Sequence, residues 1–172
     1  MTFSFSYKRG FTLIEMILYV AICSIILLAL SSLSMFMLSG RVKSQTIADV
    51  NWQGEQVMRL VTQTVRNART IDLPAIGSTG TTLSLTTLNP LQSPTVFSIA
   101  SGTLFVTEGS GPAIPLTNSH VTVSSLLFQN VSSTSSSDRI VSLSFVITYT
   151  NLSGRNEHEF SKTFKGSATL RQ

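Results

Sequence analysis

Few residues in this chain combine the type and the spacing that chemistry needs. The two histidines, His120 and His158, fall in separate segments with strand-like alternation, and Glu157 and Glu159 flank the second. In a strand, successive side chains point to opposite faces, so the two glutamates would share one face and His158 would take the other. No third group stands at metal-ligand or acid–base spacing, which favours a solvated strand end. Cys23 is the only cysteine and lies inside an apolar run, so an intrachain disulfide and a cysteine-based metal site are both excluded, and a small buried apolar residue is expected. Glu108 and Asp138 stand alone rather than in an acid-rich loop of the kind that holds calcium. Serine and threonine are plentiful, without a nucleophile motif. The expectation is a protein that is not an enzyme and uses no cofactor and no metal. One residue is out of place: Glu15, a carboxylate only a few positions into an apolar segment, where insertion near mid-membrane costs about 2.5–3.5 kcal/mol and less toward the interface.

The element that carries Glu15 has no charged residue over 16–38. As a helix this stretch spans about 35 Å, enough to cross the hydrocarbon core of a bilayer. Ser24, Ser31, Ser32 and Ser34 are compatible with that placement, since hydroxyls bond back to the preceding turn or meet a neighbouring helix. Three readings compete. A cleaved secretory signal has a shorter apolar core and a small-residue cleavage site, to which Met37-Leu38-Ser39-Gly40 is a weak match. A plain membrane anchor accounts for the hydrophobicity and leaves Glu15 without a partner. A cut after Gly10 would create an α-amino group at Phe11, one helical turn from Glu15, and a positive amine is the natural partner for that acid.

The run Lys8-Arg9-Gly10-Phe11-Thr12-Leu13-Ile14-Glu15-Met16, followed by the long apolar stretch, resembles the cleavage and methylation signal of type IV pilins and type II secretion pseudopilins. The resemblance implies that an integral-membrane prepilin peptidase cuts between Gly10 and Phe11 and that Phe11 is N-methylated. Lys8 and Arg9 would form the basic leader, and Glu15 would pair with the Phe11 amine of a neighbouring subunit. It also implies orientation, which Lys8 and Arg9 on one side and Arg41 and Lys43 on the other leave undecided. The leader would be cytoplasmic and the remainder outside, first as a single-pass protein of the inner membrane and then in a surface or periplasmic filament. The implied partners are other pilin or pseudopilin subunits, the prepilin peptidase, the inner-membrane assembly platform, and membrane lipid before assembly.

Beyond Gly40, the series Ile47, Val50, Gly54, Val57, Val61, Val65 and Ala68 steps by three or four residues, the stripe of an amphipathic helix. Asp72-Leu73-Pro74 reads as its stop, giving one helix over about 11–72 with Gly40 and Gly54 as weak points, each costing about 1 kcal/mol relative to alanine. Trp52 on this helix reads as a packing or interfacial residue. After Pro74 short alternating runs at 81–88, 95–100, 103–107, 114–116, 121–128, 139–150 and 157–170 read as strands. Ser101-Gly102 marks a hairpin, 151–156 a longer turn, and 132–137 a low-complexity loop. Asn130-Val131-Ser132 and Asn151-Leu152-Ser153 fit the N-glycosylation pattern and serve here as loop markers. The fold class is therefore α+β and pilin-like, a long N-terminal helix packed on an antiparallel β-sheet domain. The expected organisation is a leader at 1–10, a transmembrane and assembly helix at 11–40, an amphipathic extension at 41–73 and a β-rich domain at 74–172.

Net charge is +4, but removal of Lys8 and Arg9 leaves ten Lys and Arg against eight Asp and Glu. From Pro74 onward five bases face four acids, which is no electrostatic footprint for nucleic acid. The segment from Gln56 to Ile71, with the hairpin Ser101-Gly102-Thr103-Leu104, is similar to minor pilins and J-type minor pseudopilins. That implies a minor filament subunit. A major subunit, an adhesive or DNA-uptake pilin, and a membrane-anchored domain that never polymerises are the alternatives. The position of Arg155, Lys162, Lys165 and Arg171 on the surface tests the ligand-binding alternative, which scattering would sink.

Overall fold

The computed structural model describes residues 10–133, 139–152 and 154–171. Lys8 and Arg9, and most of the low-complexity run at 132–137, lie outside the described residues. The chain divides into two compact units, Met1–Arg41 and Val42–Gln172.

The first unit is the apolar part of helix α1 (Leu13–Asn67). It is long and apolar enough to cross a membrane, and its apolar side chains are exposed. Three of its serine hydroxyls bond back to the preceding turn: Ser24 Oγ donates to the Val20 carbonyl at 2.8 Å, Ser32 Oγ to that of Ala29 at 2.8 Å, and Ser34 Oγ to that of Leu30 at 3.0 Å. Cys23 is exposed rather than buried, like the rest of the most apolar window of this helix among the described residues. The helical assignment runs unbroken through Gly40.

In the second unit the rest of α1 lays its apolar stripe on two antiparallel sheets. Val50, Val57, Val61 and Val65 of the helix are buried, as is Ala68, the last residue of the predicted series, which here opens the first strand. The first sheet has the order β1 (Ala68–Leu73), β3 (Leu83–Thr87), β4 (Thr95–Ala100), β5 (Thr103–Glu108), β6 (Ile114–Pro115). The second runs β2 (Thr79–Gly80), β7 (Val121–Asn130), β8 (Ile140–Tyr149), β9 (Ser161–Thr169). The α+β class is as read from sequence, and every predicted strand run overlaps an observed strand.

Three details differ from that reading. The helix ends at Asn67 rather than near Asp72, and 68–73 is strand β1 instead of helical extension. Proline sets an upper limit on a helix without drawing it that far. Here pairing with β3 prevails, and the Asp72 carboxylate clamps the two strands by accepting from Thr70 Oγ1 at 2.9 Å and Thr86 Oγ1 at 2.8 Å. Second, β7 carries a bulge at Ser125, whose φ of 51° lies in the left-handed region, so the inward residues change from Val121 and Val123 to Leu126, Phe128 and Asn130. Third, Glu157 and His158 sit in a short 3-10 turn, Asn156–His158, ahead of β9.

The hairpin marked by Ser101-Gly102 forms as expected. Both residues have positive φ, 50° and 75°, the requirement of a type I′ turn that matches strand twist. Its tip also joins the sheets, since the Val123 amide donates to the Gly102 carbonyl at 2.7 Å. Gly54, read as a weak point, is a close-packing position: a Cβ there would land on the tip of the Phe164 ring from β9. Phe164 in turn stacks on Phe145 of β8 with ring centroids 5.4 Å apart.

Candidate processing and assembly segment

Gly10 and Phe11 precede the helix. Both are exposed, Phe11 to 70%, and among the described residues nothing approaches within 4 Å of where a Cβ on Gly10 would stand. The peptide bond between them therefore lies in irregular backbone just outside a helix end, where a protease can reach an extended substrate. Thr12 starts the helix: its side-chain oxygen accepts from the Glu15 amide at 3.4 Å, and its carbonyl accepts from the Met16 amide at 3.2 Å.

Glu15 sits in the first turn, where the helix dipole favours a negative charge. Thr12-x-x-Glu15 has the sequence of a capping box, in which the acid would reach back to the Thr12 amide. Only half of that box forms among the described residues. The Glu15 carboxylate instead accepts a hydrogen bond from the Tyr19 hydroxyl at 3.2 Å, and the Tyr19 ring meets Phe11 edge-on with centroids 6.1 Å apart. Phe11, Glu15 and Tyr19 thus form one cluster, and Glu15 is half-buried in an otherwise exposed stretch. Tyr19 was missed in the sequence; its signal was the four-residue spacing from Glu15.

The structure brings the two histidines to one place by an unexpected route. His120 lies in the turn before β7 and His158 in the 3-10 turn, and both flank Tyr149 of β8. The Tyr149 and His158 rings stack at 5.5 Å and 11°, while His120 is tilted at 6.4 Å. Thr46 Oγ1 stands 3.5 Å from His158 Nδ1, and Lys43 Nζ holds the turn by donating to the carbonyls of Glu159, at 2.6 Å, and Asn156, at 3.3 Å. The carboxylate of Glu157 is engaged by Arg155 at 3.4 Å. No group of three metal-ligating side chains occurs among the described residues. This is a packed aromatic corner that ties the strand end to the helix.

Asn130, half of one glycosylation pattern, is buried. Its Nδ2 donates to the Pro74 carbonyl at 2.9 Å and its Oδ1 accepts from the Ser132 amide at 3.1 Å, so it pins the 74–78 loop to the end of β7. Ser153 of the other pattern lies outside the described residues. Glu108 accepts from Gln92 Nε2 at 3.1 Å. Trp52 is exposed and lines a shallow groove with Glu55, Arg59 and Leu60.

The four bases proposed as a patch are scattered. Arg155 pairs with Glu157. Lys162 shares the inward face of β9 with Phe164 and bonds Asn51 Oδ1 at 2.6 Å, whereas Lys165 takes the opposite face. Arg171 lines a groove with Arg59 and Arg66.

Against known proteins, no curated sequence and no solved structure matches this chain. Residues 5–31, which contain Gly10, Phe11, Glu15 and Tyr19, match the family model described as the prokaryotic N-terminal methylation motif, and the chain therefore carries a type IV pilin-like prepilin signal.

Proposed function

We propose that the protein is a structural subunit of a type IV pilus-like or type II secretion pseudopilus filament, and within that class a minor subunit. It is made with a cytoplasmic leader, cut by prepilin peptidase between Gly10 and Phe11, N-methylated at Phe11, and assembled through α1. Residues 1–10 are the leader, about 11–40 the membrane and assembly helix, and the remainder an extracytoplasmic domain whose β-rich part supplies lateral contacts. Glu15 pairs with the Phe11 amine of a neighbouring subunit and sets axial register, which offsets the cost of placing a carboxylate in apolar surroundings. The minor assignment rests on the likeness of the segment from Gln56 to Ile71 and of the Ser101-Gly102 hairpin to minor pilins and J-type pseudopilins.

The observation that carries the reading is the order of parts at the start of α1: an exposed Gly10–Phe11 junction in irregular backbone, then a half-buried acid one turn into an exposed apolar helix. The roles are those of a scaffold component, and no step requires catalysis, a cofactor or a metal. The test is the intact mass and N-terminal sequence of the protein purified from its own membranes with an active prepilin peptidase. A chain beginning at Phe11, with or without one methyl group, is expected. A chain still beginning at Met1, or one cut near Gly40, would remove the filament reading.

A further inference from the structure

After a cut at Gly10, the amine nearest to Glu15 is that of its own chain. A capping-box geometry would bring the carboxylate back toward that N-terminus and pair the two within one subunit. An acid consumed in this way is lost to assembly. The structure offers a device against it. The Glu15 amide completes its half of the box with Thr12 Oγ1 at 3.4 Å, while the carboxylate is taken by the Tyr19 hydroxyl at 3.2 Å, from the side of the helix. Side chains on a helix lean toward its N-terminus, so a tyrosine four residues on is the one that lies over Glu15. The edge-on contact of Tyr19 with Phe11, at 6.1 Å, holds the ring in that position.

From this geometry we infer that Tyr19 is a positioning residue for assembly, which keeps the Glu15 carboxylate off its own chain's amine and presents it to the amine of a neighbouring subunit. A carboxylate has about four acceptor sites. One bond to Oε1 therefore fixes its direction and leaves the second oxygen open to an ammonium. The inference rests on the proposed pairing of Glu15 with a neighbour.

The experiment uses the full, processed chain in its own membranes. Dicyclohexylcarbodiimide, which partitions into lipid, couples a carboxylate to an adjacent amine with loss of water. Mass spectrometry then separates an internal Glu15–Phe11 lactam from a link between two chains. In the wild type the inter-chain product should dominate. Tyr19→Phe keeps the ring and removes only the hydroxyl; it should shift the ratio about fivefold or more toward the internal lactam at unchanged protein level, because a hydrogen bond to a charged group is lost. Glu15→Ala should abolish both products. An unchanged ratio in Tyr19→Phe, with the inter-chain link intact in the wild type, would overturn the role of Tyr19 alone. An internal lactam as the main wild-type product would overturn the inter-subunit pairing and this inference with it.

Discussion

Replacing Gly54 by alanine sets two physical terms against each other, and the structure decides the sign. In an exposed helix interior, Gly→Ala stabilises by about 1 kcal/mol. Gly54 is fully enclosed, and the added methyl would collide with Cζ, Cε1 and Cε2 of Phe164. That ring has little freedom to yield. It is 7% exposed, stacked on Phe145, and has Lys162 Nζ 5.0 Å from its centroid. Overpacking of this kind costs about 1–3 kcal/mol, and displacing the ring from Phe145 forfeits about 0.5–1.5 kcal/mol more. Set against the propensity gain, the expected net is a loss of about 1–3 kcal/mol. For a domain of this size that lowers the melting temperature by roughly 4–12 °C. Gly166 is the internal control: a methyl there meets the Cε of Met58, the far end of a flexible side chain, so Gly166→Ala should change stability by less than about 1 kcal/mol. The assay is thermal unfolding of the full chain in detergent, followed by near-ultraviolet circular dichroism, which reports the aromatic packing of the β-rich domain rather than helix content. Adding Phe164→Leu, which removes the ring tip, should recover part of the loss in Gly54→Ala. Stabilisation by Gly54→Ala, as for an ordinary exposed helix glycine, would refute the close contact between helix and β9.

Two further substitutions probe buried polar groups. Asn130→Ala removes the side-chain bond to the Pro74 carbonyl and the acceptor of the Ser132 amide, while the backbone bonds of residue 130 to Gly77 and Ser78 remain, so a loss of about 2–3 kcal/mol is expected in denaturant unfolding, with faster amide exchange at Gly77 and Ser132; unchanged exchange would show that the backbone bonds alone hold the loop. Gln53 is buried on the inner face of α1, and its Oε1 has no hydrogen-bond partner among the described residues; Gln53→Met, which keeps the length and removes the amide, should raise stability by about 1 kcal/mol in the same measurement, and a loss would mean that the amide is satisfied in solution.

What the sequence determined by itself was set by local rules. The glycine, phenylalanine and acid of the prepilin-type signal lie within six residues and announce themselves by order alone. The stretch apolar enough to cross a membrane follows from the absence of charge over 16–38, and the buried stripe from Val50 to Val65 from helical spacing. The strand runs follow from alternation, and the Ser101-Gly102 turn from residues that tolerate positive φ. Tyr19 was legible by the same kind of rule, a four-residue spacing. What tertiary structure decided depends on partners distant in the chain. The helix gives way to β1 at Ala68 because β3 is there to pair with it. The inward face of β7 changes parity at Ser125 because it must meet β8 on both sides of a bulge, which no period-two pattern foretells. His120 and His158, thirty-eight residues apart in sequence, meet only because β7, β8 and the turn before β9 place Tyr149 between them. Gly54 reads as a weakness in one dimension and is a point of close contact in three, since only the arrival of Phe164 shows why no side chain fits there.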